Sequence, residues 1–163
     1  MLKIVNYFRL FLFFIVSGCL FLSACSLVPD AMLPNHTIQV NIKTAADLNP
    51  DTSDTSSPLT LKVYELTSSD TFSAADFITL FTDPKKILGN DMVGQEQIIQ
   101  LKPNSKTAVK FTVKRQTQYL GVVAAYQNIQ AAEWRLLIPL DSNWGTESVW
   151  LQANKLSIVA HEN

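Results

Sequence analysis

The sequence predicts a mainly β protein: a two-sheet antiparallel β-sandwich with a small helical insertion after the second strand. Three observations lead there. Apolar and polar residues alternate in segment after segment, as in Ile38-Gln39-Val40-Asn41-Ile42 and Val109-Lys110-Phe111-Thr112-Val113, which marks strands with one buried face. One stretch, at about 73–90, switches to helical spacing. Seven or eight short strands spread over one domain's length favour a sandwich.

The first element is a leader. Lys3 and Arg9 are the only charges before residue 30, and an apolar run follows over 10–22. A bilayer span takes ~20 residues, so this run matches the core of a secretory signal instead. Leu22-Ser23-Ala24-Cys25 resembles a lipobox, in which small residues admit a peptidase and the Cys25 thiol receives a diacylglyceryl group. Residues 1–24 are therefore expected to be a signal peptide, with Cys25 as the lipid attachment. Ser26 follows, where an Asp would favour inner-membrane retention, so Ser26 is expected to direct sorting to the outer membrane. Residues 25–36, with Pro29 and Pro34, read as a tether.

Removing 1–24 leaves 139 residues with 11 basic and 14 acidic side chains. That length suffices for one domain, 37–163, burying about two-thirds of its unfolded surface. Lys85-Lys86 and Lys114-Arg115 are the adjacent basic pairs, and no patch suits nucleic acid. Cys19 leaves with the leader and Cys25 is committed to lipid, so the fold must stand without a disulfide.

Strands are expected in order. Ile38, Val40 and Ile42 mark the first. A polar loop with Pro50 and Pro58 spans 47–58, rich in residues that favour Asx turns. Leu59, Leu61 and Val63 mark the second strand, which extends to Leu66, and Ile98 to Leu101 a third. The 109–113 alternation is a fourth. Tyr119-Leu120-Gly121-Val122-Val123-Ala124-Ala125-Tyr126 is apolar on both faces, as a central strand should be. Trp134, Leu136 and Ile138 share one buried face of another, ended by Pro139. Segments at 149–151 and 156–159 close the chain around a turn at Asn154 and Lys155.

The helical segment has its own signals. Ser73 with Asp76 three residues later resembles a capping box, flanked by Phe72 and Phe77 as a hydrophobic staple. Phe77, Leu80 and Phe81 form an apolar stripe, read as core. A second short helix should start at Pro84, capped by Asp83 and stopped at Gly89.

Catalytic patterns are missing. His36 and His161 lie in terminal segments without acidic or cysteine partners at ligand spacing, and read as solvated. The glycines are scattered, so no phosphate loop is present. Asp76, Asp83, Asp91 and Glu96 lack the spacing of a calcium loop. Neither an enzyme nor a cofactor or metal is expected.

The pieces in this order resemble a known family. The lipobox is followed by a strand, a proline-flanked loop and Leu61-Lys62-Val63-Tyr64-Glu65-Leu66. Then come Phe72-Ser73-Ala74-Ala75-Asp76-Phe77, Leu80-Phe81, Pro84, Leu88-Gly89 and Asp91. Arg115, the 119–126 block and Trp134-Arg135 complete the set. From about Ile38 to the end, this is similar to the TssJ family, outer-membrane lipoproteins of the type VI secretion system.

The resemblance implies a transthyretin-like sandwich and a structural, non-enzymatic role. It implies that the protein sits at the periplasmic face of the outer membrane, held by acyl chains such as palmitate. There it would anchor a trans-envelope complex by binding the periplasmic C-terminal region of the inner-membrane subunit TssM. The family makes that contact through the loop between the first two strands, here 47–58. Asp47, Leu48, Asn49, Pro50, Asp51 and Asp54 are the candidate contact residues. Its aspartates would set association rate and salt sensitivity, while Leu48 and Pro50 would fill a partner pocket. The competing expectation is a periplasm-facing binding module for a small ligand or glycan, which needs a pocket with converging polar groups.

Overall fold

In the computed structural model, which describes residues 36–140 and 146–161, the alternating segments become strands of two four-stranded sheets. The leader, Cys25, Ser26 and the tether to residue 35 lie outside the described residues. The strands are β1 (His36–Thr44), β2 (Leu59–Leu66), β3 (Gln97–Leu101), β4 (Lys106–Val113), β5 (Tyr119–Ala124), β6 (Arg135–Pro139), β7 (Thr146–Ala153) and β8 (Ile158–His161). The first sheet runs β4-β1-β7-β8 and the second β3-β2-β5-β6.

Alternation decides what each strand buries. Ile38, Val40 and Ile42 of β1 meet Leu59, Leu61 and Val63 of β2, Leu120 and Val122 of β5, and Val149 and Leu151 of β7 in one core. β5 lies between β2 and β6, and its odd face enters a second, smaller cluster through Val123. This is why its sequence is apolar on both faces.

Two features differ from the expectation. β1 pairs in parallel with β7, Val40 opposite Val149, while every other strand pair is antiparallel. The chain crosses to the second sheet and returns before β7 forms, and such a long crossover lets two strands meet in the same direction. His36, expected in the tether and in solvent, instead opens β1. It is buried, with Nε2 3.3 Å from Glu147 Oε2.

The insertion comprises α1 (Asp70–Ala74), α2 (Phe77–Thr82), α3 (Pro84–Leu88) and a 3-10 turn over Gly89–Asp91. It covers the outer face of the second sheet, where Phe72, Leu80 and Leu88 pack on Tyr64, Leu66 and Val123. Ser73 does not cap a helix but lies inside α1. The cap is Asp76, which opens α2 by accepting from the Thr79 backbone N–H at 3.0 Å and its hydroxyl at 2.7 Å. Pro84 at the first turn of α3 and Gly89 at its end (φ +52°) stand as expected.

Side chains of the sheet hold these short helices. A helix leaves its last four carbonyls without intrahelical donors. The Arg135 guanidinium donates to the carbonyls of Phe72 and Ala75 at 3.0 and 2.9 Å. The Tyr64 hydroxyl donates to Leu80 O at 2.7 Å, and Lys62 Nζ to Phe81 O at 2.8 Å. Burial, and secondarily the Glu96 carboxylate, raise the Tyr64 phenol above its ordinary range. Trp134 is half-buried rather than fully so, because it precedes β6 and spans both cores, its ring edge-on to Phe77 at 5.3 Å.

Candidate functional site

The connection over 45–58 leaves β1 in one sheet and enters β2 in the other. It is an arch between the two sheets. Its shape comes from two buried residues. Leu48 is fully enclosed in the main core, and Asn49 is only 2% exposed. Asn49 adopts φ +46°, a left-handed conformation that Asn tolerates better than most residues. Its Nδ2 donates to Pro58 O at 2.7 Å and its Oδ1 accepts from Gln127 N at 2.8 Å. Its own N–H donates to Lys155 O at 3.1 Å. The side-chain amide of one residue therefore ties the arch to itself and to the segment after β5, and its backbone N–H ties it to the β7–β8 turn.

The tip folds around Asp51. Its Oδ1 accepts from Ser53 N and Thr55 N at 2.8 and 2.9 Å, an Asx-type turn. Its N–H donates to Thr55 O at 2.9 Å. The Ser56 hydroxyl donates to Ala46 O, and Ser57 N to Leu48 O, closing the base. Asp54, also left-handed at φ +60°, sits 2.9 Å from Lys155 Nζ. Hydrogen bonding to Asp54, then its charge, raises the Lys155 ammonium above its ordinary value.

These positions redistribute the expected roles. The Leu48 side chain fills the protein's own core, so it is not offered to a partner pocket, and the Asn49 amide is spent inside the arch. Both act by holding the shape. Asp47, Thr52, Ser53, Asp54 and Thr55 are exposed, while Pro50 and Asp51 are partly so. Lys155 and Gln127 support the arch from 106 and 78 positions away, and no local signal marks them. Among the described residues, no group of three or more His, Cys, Asp or Glu is placed to hold a metal ion.

Comparison with known proteins gives a consistent picture. The family of type VI secretion lipoproteins that includes VasD, EvfM and TssJ matches residues 36–162. No curated protein matches the chain. Among solved structures, the type VI lipoprotein TssJ1 from Pseudomonas aeruginosa is similar at 28% identity and TM-score 0.72, over 80% of this chain and 99% of that one. Lip from Serratia marcescens, a membrane-bound component of the type VI secretion system, has TM-score 0.73 at 22% identity, over 80% and 99%. A chain of a type VI membrane complex has TM-score 0.70 at 18% identity, over 80% and 100%. These last two speak for the fold alone.

Proposed function

The chain belongs to the type VI secretion lipoprotein family, and from that premise we propose that it anchors the trans-envelope complex of such a system to the outer membrane. The family is a structural component of the secretion machine, so the protein is not an enzyme. Cys25 carries the acyl chains, Ser26 permits outer-membrane sorting, and the 45–58 arch binds the periplasmic C-terminal region of TssM. Acyl chains contribute ~0.8 kcal/mol per buried methylene, so more than one makes the attachment effectively permanent.

The observation that carries the partner reading is the arch itself: an exposed acidic tip set on two buried, hydrogen-bonded residues. A loop already held in one shape loses little conformational freedom on binding, which favours affinity. Asp47, exposed at the base of the arch, would steer a basic partner surface, while the charge of Asp54 at the tip is shared with Lys155.

The test separates anchor from partner. Asp47→Lys with Thr52→Lys should weaken calorimetric binding of the TssM periplasmic region at least about tenfold and leave the circular dichroism spectrum unchanged. Undiminished affinity moves the interface elsewhere. Cys25→Ser should abolish incorporation of labelled palmitate and outer-membrane fractionation, and persistence of both would refute the anchor.

A further inference from the structure

The outer face of the first sheet carries a feature that the anchoring role does not use. It holds a cavity of about 470 Å³ on β4, β1, β7 and β8. We propose that this cavity is a binding site for a saccharide bearing a carboxylate.

The strand register builds the site. Ala108, Asn41, Trp150 and His161 lie opposite one another across the four strands. Lys106, Lys43 and Gln152 form the adjoining row. Ala108, two strands from Trp150 with Asn41 between them, is the small member of its row and keeps the β4 side of the face low. That tryptophan is 41% exposed and lines the cavity. An indole offers a broad apolar face with a polar edge, which suits the C–H face of a pyranose ring better than it suits water.

Charge supplies the second element. Lys43 and Lys106 are exposed on the cavity rim, and Lys110 lies further along β4. The one carboxylate on the described residues of these four strands is Glu147, which faces His36 at 3.3 Å. The rim is therefore positive with no local counter-charge from its own sheet, and it favours an anionic ligand.

Hydrogen bonding supplies the third. Gln152 is held in place, its Nε2 donating to Asn154 Oδ1 at 2.7 Å and its Oε1 lying 2.9 Å from His161 Nε2. Asn41 Oδ1 accepts from Gln39 Nε2 at 2.9 Å, while Asn41 Nδ2 is enclosed and without a partner. A buried donor left unpaired is unfavourable, and a small shift of the neighbouring side chains gives it to a sugar oxygen. The volume lies within the usual range of small-ligand sites, about 300–1,000 Å³. A concave site of this size fits one or two sugar rings, whereas a lipid surface is met best by a protruding patch.

The test uses the full lipoprotein in detergent, with N-acetylmuramic acid and N-acetylglucosamine as probes. The two share a ring and differ by a carboxylate-bearing ether. Saturation-transfer NMR and tryptophan fluorescence should show saturable binding of the first and at least fivefold weaker binding of the second. Trp150→Ala should lower affinity at least tenfold. Lys43→Gln with Lys106→Gln should erase the preference for the acid, and these exposed changes keep the test valid if Trp150→Ala disturbs the sheet. Absence of saturable binding overturns the proposal, as does binding indifferent to both sets of changes. Binding to phosphatidylglycerol vesicles without binding to either sugar would also overturn it, making the face a lipid contact.

Discussion

Two long connections leave the sandwich, and they are held by opposite means. The 45–58 arch has no helix or strand and, apart from the one apolar anchor Leu48, is organised by polar groups: the Asn49 amide, the Asp51 carboxylate and a few hydroxyls. The insertion between β2 and β3 folds into helices over its own apolar cluster. The difference teaches where each kind of surface belongs. Apolar packing makes the insertion part of the body of the protein. Hydrogen bonding lets the arch be rigid while its tip stays polar and exposed, as the proposed docking role requires.

The largest break in this comparison should come from the insertion. Phe72 is fully buried against Tyr64, with ring centroids 6.2 Å apart. Phe72→Ala should cost about 3–5 kcal/mol, measured by denaturant unfolding. A Cβ added at Gly121 would lie 2.7 Å from Phe72 Cε2 and 2.9 Å from Leu66 Cδ1. Gly121→Ala alone should therefore destabilise by about 1–3 kcal/mol, but cost less when Phe72 is already Ala, since the two sites share one space. Simple additivity would show that the ring does not fill that space.

The arch should respond next. Asn49→Ala removes two side-chain hydrogen bonds, leaves Gln127 N without its acceptor and places alanine at positive φ. A loss of about 1–3 kcal/mol is expected from the unpaired groups, together with weaker TssM binding. Asn49→Asp keeps the acceptor for Gln127 but sets a carboxylate against Pro58 O, so it should not rescue. A folded, fully stable Asn49→Ala would mean that Leu48 alone fixes the arch.

What the sequence revealed follows the same division. Period-two and helical spacings are local, so the strands and the Phe77, Leu80, Phe81 stripe could be read from it. The cap could not be placed correctly: Ser73 and Asp76 both suit a helix start, and only the burial of Phe72 puts Ser73 inside α1. Leu48 was read as a contact residue because an apolar group in a polar loop looks available. Its burial depends on the two sheets closing over it. Glu65 was likewise unreadable, since it accepts from Lys114 N and the Thr117 hydroxyl, 49 and 52 positions on.

A smaller effect is expected at the Asp76 cap. Its hydrogen bonds from Thr79 hold the carboxyl below its ordinary value. A carboxylate with a depressed folded pKa contributes stability above its unfolded pKa, and that contribution fades as pH falls through the folded value. Asp76→Asn should thus lower Tm slightly at pH 6, and the gap should close in acid, below the ordinary Asp range. A gap that persists or widens in acid would exclude the charged cap as its source.

The smallest effect should come from the Lys155–Asp54 pair, although it looks like the arch's main fastening. Both side chains are well exposed, and an exposed ion pair loses most of its Coulomb energy to water and salt. The raised Lys155 pKa means that its contribution is full below the ordinary lysine range and disappears as pH rises through the folded value. At neutral pH it is present but weak. Lys155→Met removes the ammonium and keeps the backbone carbonyl that accepts from Asn49 N. The Asn49 amide should therefore keep its hydrogen-exchange protection, with Tm almost unchanged, while the amides near Asp54 exchange somewhat faster. Asp54→Asn should reproduce this, and 1 M salt should erase both differences. Loss of Asn49 protection in Lys155→Met would reverse the assignment, making the arch a structure held from its charged tip rather than from its buried amide.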